Sequence, residues 1–409
     1  MKFVKLLFLA FVLMSLTNVS YSQEEAISSG TARYEALGFN PFIWDAAIDM
    51  NNNPAWASQY KNYLFGDIGR EVVNDNQLTD QFIGVNFKLS KQISLGVVLN
   101  KREDRWNEFG APYGIQEPIV PVKVLFAFGN ENIKFGVAPY LTFWSREGNY
   151  AGSGDTTLNS SSIGGQAGFI WNLNKVSLIE GAVDLKINSY KKEISNTTTP
   201  FEGKNEGGLQ FAANFRGKFN VQKQYGINLV PYIGFATYSW NPTESPTPTP
   251  NTVYTDYSNF DINGGIGINM PIMENGLLGG GLSVGYHSFK GTNWLAANDE
   301  YKYTAFTFPK FNLGVEWKFV DWLVGRIGYS RAVISTDDKY SNSGLTDEVK
   351  NTLPTDPIQT INLGLGMQFG RFSLDGTIGE KLLKNGPNLI SGKDNDFYGV
   401  ISASYNFFR

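Results

Sequence analysis

The sequence predicts an all-β protein, and within that class a transmembrane, antiparallel, up-and-down β-barrel of about 16 strands with a short N-terminal plug segment. Three observations lead to this prediction. Apolar and polar residues alternate along most of the chain, short and long connections alternate, and aromatic residues lie near the ends of the alternating segments. A barrel of about 14 strands is the main alternative, because the first pair of segments alternates less cleanly.

Alternation extends from about residue 79 to the end of the chain, in segments of roughly ten residues. The clearest example is residues 310–319, where one face carries Phe311, Leu313, Val315, Trp317 and Phe319. Lys310, Glu316 and Lys318 share the other face with Asn and Gly. Successive side chains of a strand point to opposite faces of a sheet, so each such segment predicts a strand with one apolar face.

The connections predict the topology. Short polar connections fall near residues 90, 131, 173, 320 and 370, and two slightly longer ones lie at 220–224 and 271–275. Long polar stretches fall between them, near 101–118, 145–160, 190–205, 241–255, 290–301, 336–356 and 381–394. Tight turns at one end of a sheet and long loops at the other are typical of an up-and-down arrangement.

Closure in a membrane explains the number of strands better than a soluble sandwich does. A strand needs about 9–11 tilted residues to cross a lipid bilayer. Every backbone N–H and C=O group inside the bilayer must also be hydrogen-bonded, and a closed barrel meets this requirement. Aromatic residues near the segment ends would form the interfacial girdles of such a barrel. These residues are Trp144, Trp171, Tyr190, Tyr238, Trp240, Trp317, Trp322 and Tyr329.

The first residues predict export. Lys2 and Lys5 precede an apolar run at residues 6–16, which is short for a membrane helix, and small residues precede Gln23. We therefore expect a signal peptide at 1–22, a periplasmic or plug segment at 23–59 and a barrel at 60–409. The chain has no cysteine, and its net charge of −4 argues against a nucleic-acid partner. The predicted location is the outer membrane of a Gram-negative bacterium.

Two resemblances refine this prediction. The last segment alternates through Phe397, Ile401, Ala403, Tyr405 and Phe407, and it resembles the terminal insertion signal of bacterial outer-membrane barrels. Arg409 departs from that signal, since many of these barrels end on the aromatic residue. Residues 45–58, DAAIDMNNNPAWAS, resemble the N-terminal element of FadL-like transporters and of the related PorV-type proteins of Bacteroidota.

The resemblance implies that residues 45–58 form a plug inside the barrel. We expect Asp45, Asp49, Asn53, Pro54 and Trp56 to be its key residues. The segment breaks the alternation because it precedes the first strand. Pro54 disfavours helical backbone at Asn53, so a short helix should end there. Asn side chains can bond the backbone of the following turn.

Charged residues on the polar faces predict the lumen lining. They are Lys123, Lys134, Lys186, Arg216, Lys218, Arg326 and Arg371 among the cations, and Asp184, Glu316 and Asp375 among the anions. Two interpretations remain open. The charges either pair into a network that stiffens the interior, or they form a weakly anion-favouring channel lining.

No constellation for catalysis or metal binding stands out, so we predict no enzyme, no catalytic residue, no metal site and no cofactor. The single histidine, His287, next to Ser288, does not make a triad. Two functions remain: a transporter or channel for small molecules, hydrophobic ones among them, or a binding barrel of the PorV type in protein secretion or surface attachment. Expected partners are outer-membrane lipids or lipopolysaccharide, the barrel-assembly machinery, and a small hydrophobic solute or an exported protein.

Overall fold

The computed structural model describes residues 29–68, 71–72, 77–78, 82–101, 120–150, 154–195, 200–240, 243–245, 256–292, 300–342, 345–354, 360–378 and 398–407. The predicted signal peptide at 1–22 and the terminal Arg409 lie outside these residues. No helix in the described ranges has the length and apolar character needed to cross a membrane.

Sixteen antiparallel strands form a closed ring. They are β1 (Tyr63–Ile68), β4 (Phe82–Lys88), β5 (Ile93–Lys101), β6 (Val120–Gly129), β7 (Ile133–Tyr150), β8 (Gly154–Asn172), β9 (Leu178–Ser195), β10 (Phe201–Gln222), β11 (Ile227–Trp240), β13 (Asp256–Ile272), β14 (Gly276–Thr292), β15 (Glu300–Val320), β16 (Leu323–Asn342), β18 (Thr360–Phe369), β19 (Phe372–Ile378) and β20 (Tyr398–Asn406). Each strand pairs with its neighbour, and β1 pairs with both β4 and β20.

Four shorter strands lie outside the ring. β2 (Glu71–Val72) and β3 (Gln77–Leu78) form a separate hairpin. β12 (Thr243–Ser245) pairs with β10, and β17 (Leu345–Pro354) pairs with the upper part of β16. The predicted all-β barrel of about 16 strands is confirmed, and the alternative of 14 is wrong because β1 and β4 are full members of the ring.

The barrel wall is taller than the sequence predicts. The stretches 145–160 and 190–205, expected as loops, belong mostly to β7, β8, β9 and β10, and β10 is 22 residues long. About 9–11 residues cross the bilayer, so these strands continue well beyond it. Both faces are polar there, for instance at 155–162, and the apolar alternation that signals a membrane strand disappears.

The outer face of the wall is apolar and exposed. Phe143 and Ile163 are 68% and 63% exposed, and similar side chains repeat at alternate positions along the ring. This is the lipid-facing belt of an outer-membrane barrel fold. The girdle prediction fails for four residues that alternation places inside: Trp144, and the buried Tyr190, Tyr238 and Trp240. The rings of Tyr190 and Trp240 stack at 5.2 Å.

Before β1, three short helices make up most of residues 29–62, which we call the N-terminal segment. They are α1 (Thr31–Ala36), α2 (Ala46–Asn52) and the 3₁₀ helix η1 (Pro54–Ser58). A second 3₁₀ helix, η2 (Lys223–Tyr225), forms the turn between β10 and β11. Phe42, Trp44, Met50 and Trp56 belong to a buried cluster shared with the inner wall. The core of the protein therefore sits inside the barrel.

Candidate functional site: the lumen and its N-terminal segment

The N-terminal segment crosses the barrel interior near the end that carries the short turns. Wall asparagines on separate sides donate to its carbonyls: Asn86 to Ala57 at 2.6 Å and Asn269 to Phe42 at 3.0 Å. Asn312 of β15 donates to the carbonyl of Gly38 at 3.1 Å. Because β4, β13 and β15 lie apart around the ring, the segment is held from several directions.

The local structure of the segment follows from its own polar residues. Asp45 caps α2, and its carboxylate accepts from the backbone N–H groups of Ala47 and Ile48 at 3.1 and 3.2 Å. Asn53 has extended backbone, ends α2 and accepts from Ala55 N–H at 3.1 Å as the cap of η1. Pro54 is the first residue of η1, where its missing N–H costs nothing. The predicted helix end at the Asn-Pro pair is confirmed.

Two wall glycines let the segment approach closely. A Cβ at Gly136 of β7 would lie 2.2 Å from the backbone nitrogen of Ala55. A Cβ at Gly328 of β16 would lie 2.2 Å from the nitrogen of Gly38. Neither position accepts a side chain unless the segment moves, so both glycines act as seats for the segment backbone.

A first group of ion pairs, which we call the Arg33 cluster, contains Arg33, Asp45, Glu316, Arg326 and Asp375. Arg33 of α1 is buried and donates to Asp45 at 3.2 Å and to Glu316 of β15 at 2.9 Å. Arg326 of β16 donates to Glu316 and to Asp375 of β19, at 2.6 Å each. The cluster therefore joins the segment to three strands.

Burial and ion pairing both change the pKa values of Asp45 and Arg33 in the Arg33 cluster. Burial raises the pKa of Asp45 to about 6, although Arg33 and the N–H donors act in the opposite direction. Burial alone would lower the pKa of Arg33, but Glu316 and Asp45 outweigh it and raise that pKa. Both groups are therefore charged at neutral pH.

A second group, the Glu180 cluster, contains Glu180, Arg216, Asp49, Asn53 and Trp56. Arg216 of β10 donates to Glu180 of β9 and to Asp49 of α2, at 2.6 Å each. Glu180 also accepts from the indole N–H of Trp56 and from Asn53 at 3.2 Å. All five predicted plug residues thus contact the inner wall or shape the segment that does.

Further predicted lumen residues lie above or beside the segment. Lys123 donates to the carbonyl of Asn51 at 2.9 Å, and Lys186 lies 5.6 Å from the ring of Tyr140. Asp184 accepts from the hydroxyl of Tyr140 at 2.7 Å. Lys218 lies 5.7 Å from the ring of Trp44. Lys134 is half-buried on the inward parity of β7, near the short-turn end.

One predicted lumen residue is misplaced. Arg371 lies in the turn between β18 and β19, is exposed and donates to the carbonyl of Phe407 at 2.7 Å. The prediction failed because β19 begins one residue later, at Phe372. The other nine predicted lumen residues lie on inward positions of their strands.

Several residues that hold the segment in place were not predicted from the sequence. Arg33 lies in a stretch without periodicity, so no pattern signalled it. Ser402 accepts from Ala32 N–H at 2.9 Å, and Asn86, Asn269 and Asn312 were not singled out either. The sequence placed Ser402 and the three asparagines on the polar faces of strands, and this was the signal that could have identified them.

His287 lies inside the barrel on β14. Its Nδ1 lies 2.7 Å from Asp261 Oδ1 on β13, and its ring contacts that of Tyr303 at 5.7 Å. In the part of the chain that the structure describes, no three His, Asp or Glu side chains group as a metal site. The absence of enzymatic activity and of a cofactor stays a prediction.

Comparison with known proteins gives similarity of fold. No family model and no curated protein matches the chain. The solved Pseudomonas putida toluene transporter TodX matches with 11% identity and a TM-score of 0.40, over 93% of this chain and 98% of that one. A Pseudomonas aeruginosa FadL homologue matches with 11% identity and a TM-score of 0.41, over 96% and 100%. The Ralstonia pickettii toluene transporter TbuX matches with 8% identity and a TM-score of 0.42, over 94% and 100%. Similarity at this level says nothing about what this chain transports or binds.

Proposed function

We propose that this protein is an outer-membrane transporter for small molecules, hydrophobic ones among them, in which the N-terminal segment is a plug that moves to open the lumen. The observation that carries the proposal is the attachment of the segment. It crosses the interior of a closed barrel, and charged pairs and single hydrogen bonds fix it to the wall at many points.

The contacts suit a plug that moves. If the segment leaves, Arg216 keeps Glu180, and Arg326 keeps Glu316 and Asp375. Arg216 and Glu180 therefore stay a balanced pair, whereas Arg326 is left with two carboxylates, and water can satisfy the asparagines that donated to the segment. The segment also shares a buried apolar cluster with wall residues such as Val98, Leu125 and Ile170, so its movement would open apolar surface to the lumen.

Aromatic side chains support an apolar or aromatic solute. Tyr140, Tyr190, Tyr238 and Trp240 lie on inward positions of β7, β9 and β11, farther from the short turns than the segment is. All four rings are buried, so a solute would stack on them only after neighbouring groups move. The predicted anion-favouring lining receives less support, because Arg216 and Arg326 are already paired with carboxylates.

A reversible disulfide tests the plug. The natural chain has no cysteine, so Ala32→Cys with Ser402→Cys places a single pair where Ala32 N–H bonds Ser402 Oγ at 2.9 Å. The control pair is Gly285→Cys with Thr307→Cys, because a Cβ at Gly285 would lie 3.8 Å from Thr307 Cβ, the typical Cβ separation in a disulfide. The control locks two wall strands and leaves the segment free.

Proteoliposome flux of indole is the measurement, with arabinose as a polar comparison. We expect the oxidised 32–402 pair to stop indole flux, the reduced form to restore it, and the control pair to conduct in both states. Equal flux through the oxidised and reduced forms would overturn the plug. A barrel that conducts nothing in any state but copurifies with exported proteins would favour the PorV-type alternative.

A further inference from the structure

Three lysines stand side by side on the outer surface of the wall. In the register of the sheet, Lys290 of β14 lies directly opposite Lys302 of β15, and Lys302 lies opposite Lys339 of β16. All three are exposed and lie on the outward face. We call them the lysine row. Directly opposed side chains have Cβ atoms about 4.5–5.5 Å apart, and like charges at that distance destabilise a sheet.

Three acidic residues neighbour the row, and within the described residues one of them, Glu300, forms an ion pair with a lysine of the row. Glu300 lies 2.9 Å from the ammonium of Lys290. Asp337 lies on the same face, two residues before Lys339, and Glu348 holds the next position of the row on β17. Within the described residues, neither Lys302 nor Lys339 forms an ion pair. Two adjacent cations therefore face outward at the centre of the patch.

The height of the row places it at the lipid headgroups. On β14 it lies four positions beyond the outward Tyr286, and on β15 four positions beyond the outward Phe306, which are 38% and 48% exposed. Four residues of a tilted strand rise roughly 10 Å along the membrane normal. The headgroup layer extends about 5–8 Å beyond the hydrocarbon, and lysine side chains can bend toward it.

We propose that the lysine row binds the phosphate groups of lipopolysaccharide in the outer leaflet. The row lies toward the long-loop end of the barrel, which is the external side in barrels of this type. Lysine binds phosphate as a point charge, and a phosphate between neighbouring ammonium groups removes their repulsion. The proposal rests on the outer-membrane location proposed above and is independent of transport.

A second lysine pair on the same barrel is a matched control. Lys191 of β9 lies opposite Lys204 of β10, four positions beyond the outward Ile187. Here two glutamates balance the two lysines: Glu193 lies 2.8 Å and Glu202 lies 4.0 Å from the ammonium of Lys191. This patch has the same height and the same kind of lysine neighbours, and it differs from the row in that Lys191 contacts both of its acids.

The first test measures lipid affinity of the full-length protein in detergent. Wild type, K302Q/K339Q and K191Q/K204Q are titrated with lipopolysaccharide, with lipopolysaccharide stripped of its lipid A phosphates, and with inorganic phosphate. We expect K302Q/K339Q to lose tenfold or more in affinity for intact lipopolysaccharide, and K191Q/K204Q to lose less than twofold. Stripped lipid should bind wild type as weakly as intact lipid binds K302Q/K339Q.

Three results would overturn the proposal: equal losses in the two double variants, no loss in either, or inorganic phosphate competing as well as the lipid. The thermal midpoint supplies a second readout that does not depend on transport. Without lipid, K302Q should melt above wild type, because repulsion in the row is relieved. With lipopolysaccharide, K302Q should gain less than wild type. A midpoint lowered equally with and without lipid would mean that Lys302 is structural.

Discussion

Two ion-pair clusters hold the N-terminal segment. They differ in the charged residues that each would lose if the segment left the barrel. In the Arg33 cluster, the segment supplies the cation Arg33 as well as Asp45, and the wall supplies Glu316, Arg326 and Asp375. In the Glu180 cluster, Asp49 is the charged residue that the segment supplies, beside the donors Asn53 and Trp56, and the wall supplies Glu180 and Arg216.

This difference separates a strong attachment from a weak one. Without the segment, Arg216 and Glu180 remain a balanced pair, whereas Arg326 alone faces the two carboxylates of Glu316 and Asp375. An uncompensated buried charge costs far more than a lost hydrogen bond. We therefore expect the Arg33 cluster to decide whether the segment stays in place.

The largest effect is expected for Arg33→Met. It leaves Asp45, Glu316 and Asp375 around a single arginine, and breaking a buried pair in this way costs about 3–5 kcal/mol. Hydrogen exchange of residues 29–62 should accelerate accordingly, and indole flux should rise. Arg371→Met, at an exposed turn, is the control and should change neither. Equal exchange in the two variants would show that Arg33 is not an anchor.

A smaller effect is expected for Asp49→Asn. The variant removes the charged partner that Arg216 has in the segment, but Arg216 keeps Glu180 at 2.6 Å. Loss of one charge-assisted hydrogen bond costs about 1.5–3 kcal/mol. The same exchange measurement should show acceleration below that of Arg33→Met. Asp321→Asn, which removes an exposed pair with Lys318, serves as control. Acceleration above that of Arg33→Met would reverse the ranking of the clusters.

The smallest effect is expected for Trp56→Phe. The indole N–H to Glu180 is lost, but the ring can still stack on Tyr60, whose centroid lies 5.5 Å away. Glu180 retains Arg216 and Asn53, so we expect the lower end of the range of about 1.5–3 kcal/mol for a hydrogen bond to a charged group. A thermal midpoint lowered by a few degrees is the expected result. Trp322→Phe, which keeps an exposed ring stacked on Phe369, should leave the midpoint unchanged. A drop equal to that of Arg33→Met would contradict the comparison.

The barrel was predictable from sequence because alternation is a local property of each strand. The sequence of each membrane-spanning strand indicates by itself which face is apolar. The order of short and long connections then predicts the topology. The upper wall at 145–160 and 190–205 was not predictable this way, since strands outside the lipid carry polar residues on both faces. Arg371 was wrongly predicted to line the lumen because the predicted start of β19 was one residue too early.

The sequence predicted part of the local structure of the segment but not its ion pairs with the barrel wall. The Asn53–Pro54 pair signals a helix end through local backbone preferences, so the break after α2 followed from sequence. The ion pairs did not, because closure of the ring brings together residues far apart in the chain. Arg33 and Glu316, for example, are 283 positions apart. Inward parity could place Glu316 and Arg326 in the lumen, but it could not give them partners.

The first helix also bridges the seam at which the sheet closes. Thr31 N–H donates to the carboxylate of Asp67 on β1 at 3.2 and 3.3 Å, and Ala32 N–H donates to Ser402 on β20 at 2.9 Å. The first and last strands of the ring are thus clasped from within by consecutive residues of one turn of α1. For biogenesis, we expect docking of the segment to favour closure of the cylinder. We expect docking of Thr31 and Ala32 to stabilise the final register of β1 and β20.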